Sequence, residues 1–275
     1  MSDAGLQISV AAEPVFYIGN FPITNSFLCT YIVMAFFIVI GLLYKKSKSQ
    51  KEPGKLALLV DMLLEGLLSF FKSVAGEKAT QFFPLLSSLF LYIMFSNWLG
   101  LLPGFGSIGV DLIRHGEKLH HHLLRGPTAD LNMTFALAIV SVGAIQYFGV
   151  KNLGVSYFKK FFDFSNPIML FVGLLELVSE FSKMISFSFR LFGNIFAGEV
   201  LLAVMGFLLP FFAPLPFLGL EVFVGFIQAL VFTMLSLVFM NLATQAHGNN
   251  NHNHEKNRVA KEGDLNKIEV NPNLA

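Results

Sequence analysis

Arg190 and Glu199 lie nine residues apart inside the apolar run SFSFRLFGNIFAGE (186–199). An arginine stays protonated in any protein environment. At the centre of a bilayer it costs about 3 kcal/mol on insertion scales, and about 10 or more in simulations of an isolated helix. Such a charge persists only where it faces protein or water, and by default it suggests function. Its chemistry is that of a fixed cation, which favours the ionised form of nearby carboxylates. Carboxylates do flank it along the chain. Glu176 and Glu180 come before it, Glu199 after it, and Glu221 beyond the sequence PFFAPLP (210–216). Two sets of proton-accepting groups separated by a permanent positive charge are the layout of an interrupted proton path.

Helical spacing groups these residues. At 100° per residue, Glu176, Glu180, Lys183, Arg190 and Asn194 fall within about 80° of one another, and Glu199 lies about 180° from Arg190. Glu221 and Gln228 are seven apart and share a face. Plainer roles stand beside the chemical one. Lys183 with Glu180 or Glu176 makes an intrahelical ion pair, Glu199 sits at a membrane interface, and Arg190 is a structural pin. Asn194 and Gln228 are then hydrogen-bonding glue between helices.

The elements that must carry these groups are membrane helices. The chain has 275 residues, 54% of them hydrophobic and only 13% charged, against about 25% charged in a soluble domain. Apolar runs reach the ~20 residues needed to cross a bilayer. The expected fold is all-α and integral to the membrane. It has five crossing helices, at 26–44, 81–102, 131–150, from Pro167, and from near Pro216 to about Ala246. Asn166 reads as the cap of the fourth and Pro167 as its first residue. Between the first two lies KLALLVDMLLEGLLSFFKSVAG (55–76), in which Asp61, Glu65 and Lys72 share one helical face. That pattern suits an amphipathic helix that lies along the membrane surface or packs on a neighbour. Residues 1–25 form an extracytoplasmic segment, 26–246 the membrane domain, and 247–275 a polar, disordered cytoplasmic tail.

Lysine placement orients the spans. Lys45, Lys46, Lys48, Lys51 and Lys55 follow the first, Lys151, Lys159 and Lys160 the third, and Lys256, Arg258, Lys261 and Lys267 the fifth. Five crossings with the N-terminus outside put all three groups in the cytoplasm. The first 25 residues lack Lys and Arg, so the start does not read as a cleaved signal peptide. From Pro167 to Leu209 no clear turn occurs, which makes roughly 65 Å of helix against a core about 30 Å thick. A break near Gly193 or Gly198 would reverse the C-terminus and spoil the lysine pattern. A single, steeply tilted helix returning through PFFAPLP as a long hairpin is favoured.

Other functions are excluded or unsupported by composition. A net charge of +1 without a basic stripe argues against nucleic acid. No Gly-rich phosphate loop occurs, so no cofactor or nucleotide is expected. Cys29 is the single cysteine, so no internal disulfide forms. The histidine-rich stretches HGEKLHHHLLRG (115–126) and HGNNNHNHEKN (247–257) read as a polar outer loop and a tail, with no metal site.

The run SKMISFSFRLFGNIFAGE (182–199) resembles the signature of subunit a of the F-type ATP synthase, the stator channel subunit of its membrane sector. Further similarity lies in SNWLGLLPG (96–104), PTADLNMTFALA (127–138) and IQALVFTMLSLVF (227–239). The resemblance covers roughly 55–245. It implies that Arg190 is the indispensable arginine facing the carboxylates of a rotating c-subunit ring, and that Glu176 is the inner-side glutamate. It also implies that Asn194, Glu199, Glu221 and Gln228 line an outer half-channel, with Lys183 and Glu180 as secondary candidates. Relatives often pair histidine with glutamate where Glu199 and Glu221 stand here, and proline where Met184 stands. The implied partners are the c ring, b-type peripheral stalk subunits, the peripheral ATP-synthesising sector and the lipid bilayer of a bacterial inner membrane. ATP chemistry then belongs to partner subunits and this chain is not itself an enzyme. A sodium-coupled version of the same subunit stays open, and so does an autonomous transporter with an intramembrane arginine. The absence of an internal repeat counts against the transporter.

Overall fold

The computed structural model describes residues 14–18, 21–50, 54–102, 109–114, 117–122, 125–154, 157–158, 161, 167–209, 212 and 214–245. Among these residues six α-helices dominate: α1 (Asn25–Lys48), α2 (Lys55–Ala75), α3 (Ala79–Gly100), α4 (Leu131–Leu153), α5 (Pro167–Leu208) and α6 (Pro214–Ala243). Thr24 caps α1 by accepting from the Phe27 amide, and Asp130 caps α4 by accepting from the Asn132 amide. The predicted Asn166 cap lies outside the described residues, as do 247–275.

Helices α3, α4, α5 and α6 share one core. Phe90 and Ile93 of α3 meet Ala138 and Val142 of α4, Phe187 and Leu191 of α5, and Ala229 and Phe232 of α6. A second cluster joins Phe71 of α2 to Phe82 and Leu86 of α3, Ile145 of α4, and Leu237 and Met240 of α6. Lipid is as apolar as leucine, so small residues and hydrogen bonds must add to the packing between helices. Ser141 and Ser236 pair at 2.7 Å between α4 and α6, and Thr134 and Ser188 at 3.2 Å between α4 and α5.

The long fourth segment is unbroken. α5 has 42 residues, about 63 Å, and runs through both Gly193 and Gly198. Lys183 and Arg190 therefore ride on one rigid element.

The chain is mostly helical, in keeping with the expected all-α membrane class, with two short strand pairs beside the helices. Strands β1 (Pro14–Ile18) and β2 (Phe21–Thr24) pair antiparallel, within the segment expected to be extracytoplasmic. Strands β3 (Gly109–Arg114) and β4 (Glu117–His122) also pair antiparallel, between α3 and α4. Both pairs are built from short apolar or mixed runs. Their strand signal is weak beside that of long apolar helices.

Among the described residues, four helices are long and apolar enough to cross a membrane by length and composition: α1, α4, α5 and α6. The other expected crossing, α3, is 22 residues long but carries Ser87, Ser96 and Asn97, all buried. These three polar groups are turned inward rather than outward, so the average hydropathy of α3 understates how apolar its outer surface is.

Helix α2 packs on a neighbour through its polar side. Asp61 accepts from the Tyr44 hydroxyl at 2.6 Å and pairs with Lys48 at 3.2 Å, tying α2 to the end of α1. The Tyr44 hydrogen bond, followed by that from Lys48, holds the Asp61 carboxyl below the usual range. Opposite the buried Phe71 and Ala75, the side chains of Leu58, Leu59 and Met62 are exposed.

Candidate functional site

The end of the bundle at the α5–α6 turn holds two carboxylates in different settings. Gly198 of α5 lies against Glu221 of α6, and a Cβ at 198 would fall on the Glu221 carboxyl. The missing side chain is what admits that carboxyl between the helices. Glu221 is buried as a result. Trp98 and Asn97, at the end of α3, hold this part of α6. Trp98 Nε1 donates to the Val222 carbonyl at 3.0 Å, and Asn97 Nδ2 to the Gly225 carbonyl at 2.8 Å.

Glu199 turns elsewhere. Its Oε2 lies 3.6 Å from Nη2 of Arg125, whose guanidinium also sits 6.0 Å from the centre of the Phe196 ring. Gly126 and Gly100 let this corner close, since a Cβ at either would stand 3.3 Å from the other's Cα. The Arg125 side chain is only 11% exposed, so the ion pair is partly desolvated and removal of either member leaves a poorly solvated charge.

Arg190 lies about 14 Å along α5 from Glu199. Its side chain is exposed, and Nη2 donates to Ser186 Oγ at 3.3 Å. On the same open face stand Ser186, Gly193 and Ala197, all exposed and all small, with Ile185 and Phe189 beside them. One turn on, Asn194 Nδ2 donates to Gln228 Oε1 of α6 at 2.7 Å. The reading of these two amides as interhelical glue is therefore correct as a contact.

Toward the start of α5, Glu180 is buried and its Oε1 accepts from Lys183 Nζ at 2.9 Å. Lys183 Nζ also lies 4.7 Å from the centre of the Phe239 ring of α6. The intrahelical pair foreseen in the sequence is thus present. Glu176, one turn earlier and half-buried, is about 21 Å from Arg190 along the helix. The 80° sector therefore spans an edge of the bundle: Glu180 at its inner margin, Arg190 at its open one. Among the described residues, no three His, Cys, Asp or Glu side chains gather as a metal site.

The family model described as ATP synthase A chain matches residues 27–241, the span that contains all of these groups. The chain belongs to the ATP synthase A chain family. Individual relatives agree. ATP synthase subunit a of Syntrophobacter fumaroxidans is 33% identical over 239 residues, 86% of this chain and 90% of its own length. The proteins of the same name from Geotalea daltonii and Gloeobacter violaceus are 32% and 34% identical, over 77% and 81% of this chain and 83% and 85% of their own.

Two residues of the site in this ATP synthase A chain family member escaped the sequence reading. Arg125 lies 74 positions from Glu199 in sequence, and no spacing rule links the two. Asn97 was part of a quoted motif without a role. Its own signal was an amide at the end of an apolar helix, the kind of group that needs a partner once buried.

Proposed function

We propose that this chain is the proton-translocating stator subunit of a rotary F-type ATP synthase. The observation that carries the reading is Arg190, an exposed cation midway along a 42-residue apolar helix. A bare guanidinium facing lipid costs at least ~3 kcal/mol, so a partner must cover that face. The small residues Ser186, Gly193 and Ala197 leave room for another helix to come close. A ring of c subunits, each with a carboxylate at mid-membrane, meets both needs.

The mechanism follows from the arrangement. A proton enters past Glu221 and Glu199, near the α5–α6 turn, and neutralises a ring carboxylate. Asn194 and Gln228 line the inner reach of that path. The neutral carboxyl turns through lipid at little electrostatic cost. It then meets the second path, at Glu176 with Glu180 and Lys183 nearby, and gives up its proton. Arg190 favours the ionised carboxylate there. Its fixed charge also bars direct passage from one path to the other. Departure from the histidine–glutamate pairing leaves two carboxylates on the entry side, and two such groups share a proton when close.

On this reading α1, α3, α4, α5 and α6 cross a bacterial inner membrane, with the N-terminus outside and α2 along the cytoplasmic surface. The α5–α6 hairpin, longer than the bilayer is thick, lies steeply tilted against the ring. Residues 26–246 are the membrane domain, while 1–25 and 247–275 flank it outside and inside. A b-type peripheral stalk and an ATP-synthesising sector complete the complex and carry out the ATP chemistry. Arg190→Ala should abolish ATP synthesis and ATP-driven pumping in inverted vesicles, with or without sodium, while the complex still assembles. Near-normal coupled pumping in that variant would falsify the mechanism.

A further inference from the structure

Helix α1, long and apolar enough to cross a membrane, marks where the hydrocarbon ends. Its Leu42 and Leu43 side chains are exposed, as suits a helix facing lipid, and the exposed Lys45 and Lys46 follow within a turn. At 1.5 Å per residue these lysines stand about 3–6 Å beyond the leucines, at the level of the headgroups. Two contacts hold the start of α2 at the same level. Lys48 Nζ lies 3.2 Å from Asp61 Oδ1, and a Cβ on Gly54 would meet the Ser47 hydroxyl. Lys55 follows Gly54 directly and is exposed. Lys48 neutralises Asp61, whereas among the described residues no acidic side chain pairs with Lys45, Lys46 or Lys55. Leu58, Leu59 and Met62, all exposed, fall within about 60° of Lys55 around α2. Unmatched charge and apolar surface therefore share one open face.

We propose that the α1–α2 corner is a docking surface for anionic phospholipid. Headgroup phosphates sit against Lys45, Lys46 and Lys55, and the acyl boundary lies under Leu58, Leu59 and Met62. Lipid is the occupant because both features come at one membrane depth. Lysines there attract anionic headgroups, and the apolar face of a surface helix enters the adjoining acyl region. Orientation of the chain requires only that lysines lie on the cytoplasmic side. It does not require them to be unpaired or to adjoin an apolar helix face. The inference rests on the membrane placement in the proposed function, with α2 along the cytoplasmic surface, and adds the lipid class that holds it there. Phe71 of the same helix shares a core cluster with Leu237 and Met240 of α6, so lipid bound here braces the stationary bundle.

The test uses the whole complex, reconstituted in phosphatidylcholine vesicles doped with phosphatidylglycerol. A fluorophore is placed at Met62→Cys in a Cys29→Ser background. Its quenching is compared, at equal bromine content, with brominated acyl chains on one lipid or on the other. Phosphatidylglycerol should be enriched at the probe about fivefold or more, the ratio that one lysine near an anionic surface implies. Added salt should shrink the enrichment, because exposed charges are screened. Lys45→Gln, Lys46→Gln and Lys55→Gln should each lower it, and the triple variant should bring the two lipids to parity. Lys151→Gln, at the end of α4, should leave it unchanged. Equal quenching by both lipids overturns the proposal, since the face then meets lipid without regard to headgroup. Absence of quenching by either overturns it too, since protein then covers the face. Enrichment that survives the triple variant or high salt does the same, and the salt series decides even where that variant fails to assemble. If Arg190→Ala is inactive while the lipids quench equally, only this inference falls. If Arg190→Ala pumps normally, the proton-path reading falls instead.

Discussion

Gly198→Ala isolates the seat of Glu221 from the stability of the helix that forms it. The added methyl would occupy the space now held by the Glu221 carboxyl. That carboxyl ends a flexible side chain, so it swings away and the fold is little disturbed. Alanine also favours a helix interior over glycine by about 1 kcal/mol. Assembly should therefore be unchanged or slightly improved. Holding the carboxyl in its present place against the methyl would cost roughly 1–3 kcal/mol, the usual range for overpacking. That range corresponds to an occupancy of the seat about 5- to 150-fold lower. If Glu221 is a step on the entry path, pumping should fall by a factor within that range at normal complex levels. The assay is ATP-driven acidification of inverted vesicles, normalised to assembled complex. Two companions make the result readable. Gly206→Ala has open space around its Cβ and should pump normally. Glu221→Asp added to Gly198→Ala withdraws the carboxyl by one methylene and should recover part of the loss. Wild-type pumping in Gly198→Ala would refute the reasoning, because the seat would then not matter. Equal losses in Gly198→Ala and Gly206→Ala would refute it as well.

Three further outcomes are expected. Arg125→Ala should impair pumping more than Arg125→Lys, since Lys keeps the charge opposite Glu199 while losing the planar fork; equal effects would remove charge as the reason. Ser141→Ala should lower thermal stability of the detergent-solubilised complex only slightly, since interhelical hydrogen bonds in membranes average about 0.6 kcal/mol; a collapse of the complex would contradict that estimate. Cysteines at Ser2 and Ala275, in a Cys29→Ser background, should label from outside and inside respectively, and labelling of both from one side would mean an even number of crossings.

What could be read directly from the sequence was whatever depends on local pattern. The α4 span was expected at 131–150 and runs Leu131–Leu153; α5 begins at the predicted Pro167. Apolar runs of that length leave the backbone no choice but a helix in lipid, since every amide must be satisfied within the segment. The signature around Arg190 likewise sits in consecutive residues, which is why it already pointed to the family. Short hairpins at 14–24 and 109–122 were missed because their signal extends over only a few residues. The tertiary structure decided the partners. Helical periodicity put Glu180 and Arg190 in one sector, but only the tertiary packing buries the first and leaves the second open. Glu199 and Glu221 looked alike as late and early carboxylates of a hairpin. One is paired with Arg125 and the other is seated on Gly198, and both contacts join residues far apart in sequence. Spacing along a helix fixes angles within that helix. It carries no information about which other helix arrives at each face.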